Sequence, residues 1–130
     1  MLSDRDIVIC RILKCFIFII GFFIATPSEA LHVVTHATIN IDTLTTKQLR
    51  RIYAMRQLRW ANNTSIVVFV LPSKSSIHKK FSKNVLNILP YKLDRIWNKL
   101  TFSGLGVAPK VVQTQEELLK AVSTTPGAIG

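Results

Sequence analysis

The sequence predicts an α/β fold with a mainly parallel sheet flanked by helices. Short apolar runs alternate along the chain with segments whose apolar residues recur at helical spacing, an order typical of parallel α/β proteins. Residues 66–71 (IVVFVL) are apolar at every position, which favours a strand covered on both faces. Thr45 and Thr114 each begin a segment of the capping-box form, which marks the start of a helix. The length of 130 residues allows one domain of ordinary size.

The first half of this pattern is simple. Residues 31–36 are a short apolar run with β-branched side chains, which predicts a first strand. After Thr45, apolar residues at helical spacing predict a helix over about 46–55. Asn62 and Asn63 predict a turn before the strand at 66–71.

In the second half, Pro72 ends the apolar strand and a serine-rich turn follows. Apolar residues at positions 77, 81, 85 and 88 then keep helical spacing. The remaining predicted elements are a helix beginning at Pro90, a loop over 101–109, a strand over 110–113, a helix after Thr114, a turn at 125–127 and a strand from 128. A strand that stops at Gly130 is an unusual end, so we expect either a very short last strand or a chain that continues.

Residues 1–30 have the pattern of a secretory signal peptide. Arg11 and Lys14 precede the uncharged apolar run 16–25, and Ser28 and Ala30 place small residues where a signal peptidase reads. The alternative is a retained membrane anchor. That run is shorter than the roughly 20 apolar residues of a spanning helix, and a longer one would bury both cations in lipid.

Cleavage between Ala30 and Leu31 would leave one mature domain, residues 31–130, which we expect in the periplasm. Residues 1–30 hold equal numbers of basic and acidic residues, so the net charge of +10 is unchanged by cleavage. Both cysteines leave with the segment, which excludes disulfide and thiol chemistry from the mature domain. A charge of this size indicates an anionic partner: a phosphate-bearing ligand, nucleic acid or an acidic membrane surface.

Residues suited to catalysis are few. No Gly-x-Ser-x-Gly nucleophile motif is present, and His32 and His36 are four residues apart on an expected strand rather than on a helix face. We therefore expect no enzyme activity, no metal and no cofactor. The mature domain has four carboxylates, none placed as an evident acid–base pair: Asp42, Asp94, Glu116 and Glu117.

The strongest binding candidate is the serine-rich turn between a strand and a helix. Hydroxyls and unbonded backbone N–H groups there would face an anion at the positive end of the helix dipole. The alternative is that Ser75 or Ser76 only caps the helix. A loop with two glycines could expose further N–H groups. The candidate ligand-binding residues are Ser73, Lys74, Ser75, Ser76, Ser103 and Gly104.

A diffuse set of basic residues would form a stripe beside Trp60, and a basic stripe with stacking aromatic rings suits nucleic acid. An exported protein seldom meets nucleic acid, so we expect none as partner and interpret the set as solvated surface. Its members are Lys47, Arg50, Arg51, Arg56 and Arg59.

Four segments together resemble one known family. They are LTTKQLRRIY followed by RW (44–53 and 59–60), LPSKSSIHKKF (71–81), the stretch from Trp97 through LTFSGLG (to 106), and the ending STTPGAIG (123–130). With these, residues 31–130 resemble the phosphate-binding proteins of bacterial ABC uptake systems, in particular small exported relatives of little more than one lobe.

The resemblance implies a periplasmic-binding-protein-like lobe that holds inorganic phosphate or a similar oxyanion and works with ABC transporter membrane components. In the family, a segment of the Ser-Gly-Ser-Gly-Thr type supplies part of the site, and the matching positions here are 73–76. Met55 stands where relatives usually have glycine, and the glycine-rich phosphate loop of the family's first lobe has no counterpart. The PGAIG ending leads in the family into a strand with an aromatic residue next, which favours a continuation past Gly130.

A single lobe would leave one side of the ligand in water, where charge-assisted bonds are weaker. We therefore expect weak or partner-completed phosphate binding. The alternative function is a degenerate lobe that docks through its basic surface on a periplasmic or envelope partner.

Overall fold

The computed structural model describes residues 31–130; the expected signal peptide, including Ala30 at its predicted cleavage point, lies outside the described residues. Leu31, on the mature side of that point, is half-buried. The elements in chain order are α1 (Thr46–Tyr53), β1 (Val67–Val70), α2 (Ser76–Lys80), a π-helical turn (Phe81–Val85), α3 (Pro90–Ser103), β2 (Lys110–Val111), α4 (Gln115–Thr124) and β3 (Ala128–Ile129). This mixed order confirms the expected α/β class.

The sheet has the order β2-β1-β3, and both pairings are parallel. Phe69 lies opposite Lys110 on one side of β1, and Val67 lies opposite Ala128 on the other. The predicted strand at 31–36 is wrong in extent, since it makes an isolated antiparallel bridge from Thr35 to Ile129. β3 is only two residues long, so residues 31–36 can form few backbone hydrogen bonds along its outer edge.

Side chains of β1 alternate between two apolar clusters, as the period of a strand requires. Val68 and Val70 pack into the larger cluster with residues of α1 and α3, whereas Phe69 packs into the smaller one with Val122 of α4. The central strand is therefore covered on both faces, as its uniformly apolar sequence predicted.

The first helix begins as predicted and ends earlier. Thr45 Oγ1 accepts the N–H of Gln48 at 3.2 Å, and Gln48 Oε1 accepts the N–H of Thr45 at 2.9 Å, which completes the capping box. α1 ends at Tyr53 rather than at residue 55, and Met55 has a left-handed backbone with φ 59°. A non-glycine residue rarely adopts this conformation, and a helix cannot continue through it.

The segment after β1 is helical, but its buried face differs from the prediction. His78, Ser82 and Leu86 are buried, whereas the apolar positions 77, 81, 85 and 88 are only half-buried. The change to a π turn at Phe81 alters the spacing that a regular helix would keep. Ser82 is accommodated in the core because its hydroxyl donates to the carbonyl of Ile88.

The last two helices keep most of their predicted signals. Pro90 opens α3, which runs to Ser103, so the predicted loop begins three residues later than expected, after Gly104 ends the helix with φ 69°. Thr114 Oγ1 accepts the N–H of Glu117 at 3.1 Å, but the Glu117 carboxylate accepts from Gln113 instead of completing the box. Within residues 31–130, no helix combines the length and apolar character that a membrane crossing requires.

Both tryptophans are buried and donate to backbone carbonyls. Trp97 Nε1 donates to the carbonyl of Tyr53 at 2.8 Å, in the last turn of α1. The N–H of Met55 donates to the Ile52 carbonyl, and the N–H groups of Arg56 and Gln57 donate to the Arg51 carbonyl. The Trp97 indole therefore supplies the donor for the Tyr53 carbonyl. Trp60 Nε1 donates at 2.9 Å to the carbonyl of Gly127, which also accepts the N–H of Val67.

The PGAIG ending forms a tight turn into β3. The N–H of Ala128 donates to the carbonyl of Thr125 at 3.2 Å, and Gly127 has φ 77°, as the third residue of a type II turn requires. A Cβ at Gly127 would lie 2.3 Å from the carbonyl oxygen of Ser65. Glycine is therefore needed here for space as well as for conformation.

We expect Trp97→Phe to lower the free energy of unfolding by about 1–3 kcal/mol more than Trp60→Phe does. Both changes remove a buried indole, but only the first strips the Tyr53 carbonyl of its donor, since the Gly127 carbonyl retains a bond from Val67. Urea unfolding followed by circular dichroism measures the difference, and equal losses would contradict this account.

Gly127→Ala should destabilise the fold by about 3 kcal/mol or more, because the methyl group would overlap the Ser65 carbonyl. Gly104→Ala is the matched control, with a similar φ of 69° but nothing within 4 Å of an added Cβ. It should cost only about 1–2 kcal/mol, the conformational penalty alone. The same unfolding measurement applies, and a control as damaging as Gly127→Ala would refute the steric explanation.

Candidate functional site

The serine-rich turn connects the carboxyl end of β1 to the start of α2. The N–H of Ser75 donates to the carbonyl of Pro72 at 2.8 Å, which closes the turn. Ser75 is the N-cap residue of α2, but its side chain makes no capping bond. Lys74 and Ser76 are exposed, whereas Ser73 and Ser75 are half-buried. The structure therefore brings all four predicted residues, 73–76, together beside the first turn of a helix.

Ser73 is tied to α3 through Asp94. Its Oγ donates to Asp94 Oδ1 at 2.7 Å, and the pair is partly buried. The sequence identified Asp94 only as a carboxylate on a helix, because the two residues are 21 positions apart and no local pattern links them. Asp94 is the principal site residue that sequence reasoning missed.

His78 lies on α2, five residues after Ser73. It is 3% exposed, and its Nε2 has no hydrogen-bond partner in the structure. Its ring lies 5.9 Å from the Trp97 ring, centroid to centroid. Burial lowers the pKa of His78, and the negative charge of Asp94 opposes that effect more weakly. The imidazole is therefore held in its neutral form more firmly than an exposed histidine.

The hydrogen bonds do not form a Ser–His–Asp relay. In such a relay histidine accepts the serine proton, whereas here Ser73 donates directly to the carboxylate of Asp94 and His78 Nε2 is unbonded. The hydroxyls of Ser75 and Ser76 and the first N–H groups of α2 can donate to a ligand, since the first helical turn has no internal acceptors for them.

Ser103 and Gly104 are not part of this arrangement. They lie at the carboxyl end of α3, nine residues beyond Asp94, which is roughly 14 Å along the helix axis. Ser103 Oγ donates to the Leu100 carbonyl at 3.2 Å, and the N–H of Gly104 to the Thr101 carbonyl at 3.3 Å. A helix carboxyl end favours cations, so this position does not favour an oxyanion.

The basic set near Trp60 lacks an exposed ring. The Trp60 indole is buried and bonded to Gly127. Arg50 Nε donates to the Leu86 carbonyl at 2.7 Å, and Arg59 Nη1 to the Asn63 carbonyl at 2.9 Å. These arginines thus contribute to the structure, and Trp60 offers no stacking surface.

Histidine and carboxylate side chains do not cluster in the described domain. Among residues 31–130, no group of three or more His, Cys, Asp or Glu is placed to hold a metal ion. His36 Nδ1 lies 2.8 Å from the hydroxyl of Thr38 and also accepts the Thr38 N–H at 3.1 Å.

No family model, no curated protein and no solved structure matches this chain. The resemblance to phosphate-binding proteins thus depends on its sequence segments alone.

Because burial lowers the pKa of His78, the unfolded chain takes up a proton at a higher pH than the folded one. The stabilisation from neutral His78 is present above the unfolded pKa of about 6.5 and is lost as pH falls below it. We expect the free energy of unfolding to fall between pH 7.5 and 5.5, with a slope of at most about 1.4 kcal/mol per pH unit from this group.

His78→Leu should flatten that slope. Urea unfolding at several pH values provides the measurement. An unaltered slope in His78→Leu would show that another group causes the pH dependence.

Proposed function

We propose that the mature domain is an exported, non-enzymatic, solute-binding-type protein that binds phosphate or a similar oxyanion at the turn 73–76. The carrying observation is the β1–turn–α2 unit, in which a serine-rich turn leads from a buried strand into a helix start. Ligands of parallel α/β sheets bind at the carboxyl ends of the strands, where this turn lies.

The donors of the proposed site come from one short stretch. The hydroxyls of Ser75 and Ser76 supply two donors, and the first N–H groups of α2 supply others. Lys74 is exposed on the same turn and contributes positive charge. These groups match the needs of a tetrahedral oxyanion, which accepts several hydrogen bonds on one side.

Asp94 limits the affinity of this site. It occupies the Ser73 hydroxyl as an acceptor, and its negative charge opposes that of an arriving oxyanion. Binding by this domain alone is therefore weak, and a second surface is needed to enclose the ion. In our proposal the domain is a periplasmic-binding-protein-like lobe, and membrane components of an ABC uptake system are the partner.

Calorimetric titration of the full chain with phosphate and sulfate tests the site. Ser75→Ala combined with Ser76→Ala should weaken binding about tenfold or more, since it removes two donors to a charged group. Ser103→Ala is the matched control, because that hydroxyl lies at the far end of α3, and it should bind as the unaltered chain does. Asp94→Asn should strengthen binding several-fold by removing the opposing charge.

The proposal would be contradicted if neither phosphate nor sulfate gave a heat of binding, or if the serine substitutions left the heat of binding unchanged. Either result would favour the second candidate, a degenerate lobe that docks on an envelope protein. The Ser73–Asp94 bond is the observation that favours this candidate, since it places a negative charge where an oxyanion would bind. A partner captured from envelope extract at low salt, released at high salt and unaffected by phosphate would identify this function.

A further inference from the structure

The solvent-facing side of α3 carries aromatic rings and cations together. Its residues, here called the outer face, are Tyr91, Lys92, Arg95, Lys99 and Phe102. All five are exposed and fall within one side of the helix, opposite the buried Leu93 and Trp97. Tyr91 is 57% exposed and Phe102 is 90% exposed.

The loop directly after α3 carries two exposed aliphatic side chains. Leu105 is 77% and Val107 is 79% exposed. Gly106 between them lies against the helix, since a Cβ there would be 3.3 Å from Leu100 Cβ. Leu105 and Val107 are exposed on either side of this contact.

The charge of the outer face is of one sign. Asp94 is the carboxylate of α3, and it points to Ser73 on another side of the helix. Lys110 follows the loop and is also exposed, with its Nζ 5.9 Å from the Phe69 ring centroid. Exposed apolar groups are thus bordered by cations, the composition of surfaces that lie in the headgroup region of an anionic membrane.

We propose that the outer face of α3 and residues 105–107 bind the surface of an anionic lipid bilayer. Phe102, Leu105 and Val107 enter the boundary between headgroups and acyl chains, where they leave water. Lys92, Arg95 and Lys99 pair with the lipid phosphates, an attraction that salt weakens. Exposed rings and cations also suit single-stranded nucleic acid, but the exposed aliphatic side chains of Leu105 and Val107 gain nothing from base stacking and favour lipid.

Phe102→Trp in the full chain provides a probe on the face itself. The native tryptophans are buried, so quenching by brominated lipid should report mainly on the introduced indole. With two-to-one phosphatidylcholine–phosphatidylglycerol vesicles at low salt, we expect its emission to shift to the blue and to be quenched. Leu119→Trp is the control, at an exposed apolar position on α4, and it should show neither effect.

Two further sets of substitutions in the Phe102→Trp chain separate the contribution of the cations to lipid binding from that of the aliphatic side chains. Replacement of Lys92, Arg95 and Lys99 by glutamine should raise the lipid concentration for half-maximal quenching about tenfold or more. Leu105→Ser with Val107→Ser should raise it by a similar factor. These exposed substitutions leave the core intact, which circular dichroism verifies.

Three results would overturn the proposal. Quenching no greater than that of Leu119→Trp would show that the face does not meet lipid. Equal quenching on pure phosphatidylcholine would refute the role of anionic headgroups. A spectral response to a single-stranded oligonucleotide but not to vesicles would assign the face to nucleic acid instead.

Discussion

Strand β1 is buried on both faces and paired on both edges, and the positions of the other elements follow from this constraint. Val68 and Val70 need apolar cover on one side and Phe69 needs it on the other. Helices must therefore pack on both faces, and the connections from β1 to β2 and from β2 to β3 must cross the sheet through helices. The turn that follows β1 lies at the carboxyl end of this central strand, where α2 begins.

Side-chain donors bind carbonyls where regular bonding ends. Trp97 bonds to the last residue of α1, Trp60 to the turn before β3, and Arg50 to Leu86 after the π turn. Each bond joins elements that are distant in sequence, and the Trp97 bond also satisfies the Tyr53 carbonyl at the end of a helix. The two tryptophans therefore have positional as well as apolar roles, which explains why Trp60 is unavailable to a ligand.

Helix α3 links the two surfaces to which we assign binding. Its inner residues pack on the core, and Asp94 on its flank holds Ser73 in the serine-rich turn. Its outer residues carry cations and exposed rings. The carboxylate and the cations of this one helix thus face different surroundings, so an oxyanion at the turn and lipid at the outer face would meet opposite local fields.

Short-range sequence signals determined much of the fold. The capping box at Thr45 and the proline at position 90 act within one helical turn, so they place helix starts correctly without knowledge of the rest. The requirement for glycine in the PGAIG turn is likewise visible in sequence. Met55 also has a positive φ, but a non-glycine residue adopts this conformation only with strain. The unbroken apolar run at 66–71 predicted a strand covered on both sides.

What the sequence determined by itself was the α/β class, the central strand, most helix starts and the grouping of residues 73–76. Only the tertiary structure decided that Asp94 bonds to Ser73, that His78 and Ser82 are buried in place of apolar neighbours, and that residues 31–36 form a bridge rather than a full strand. It also separated Ser103 and Gly104 from the serine-rich turn. Caps and turns depend on a few adjacent residues, whereas these contacts depend on how helices pack across the sheet, which no local pattern encodes.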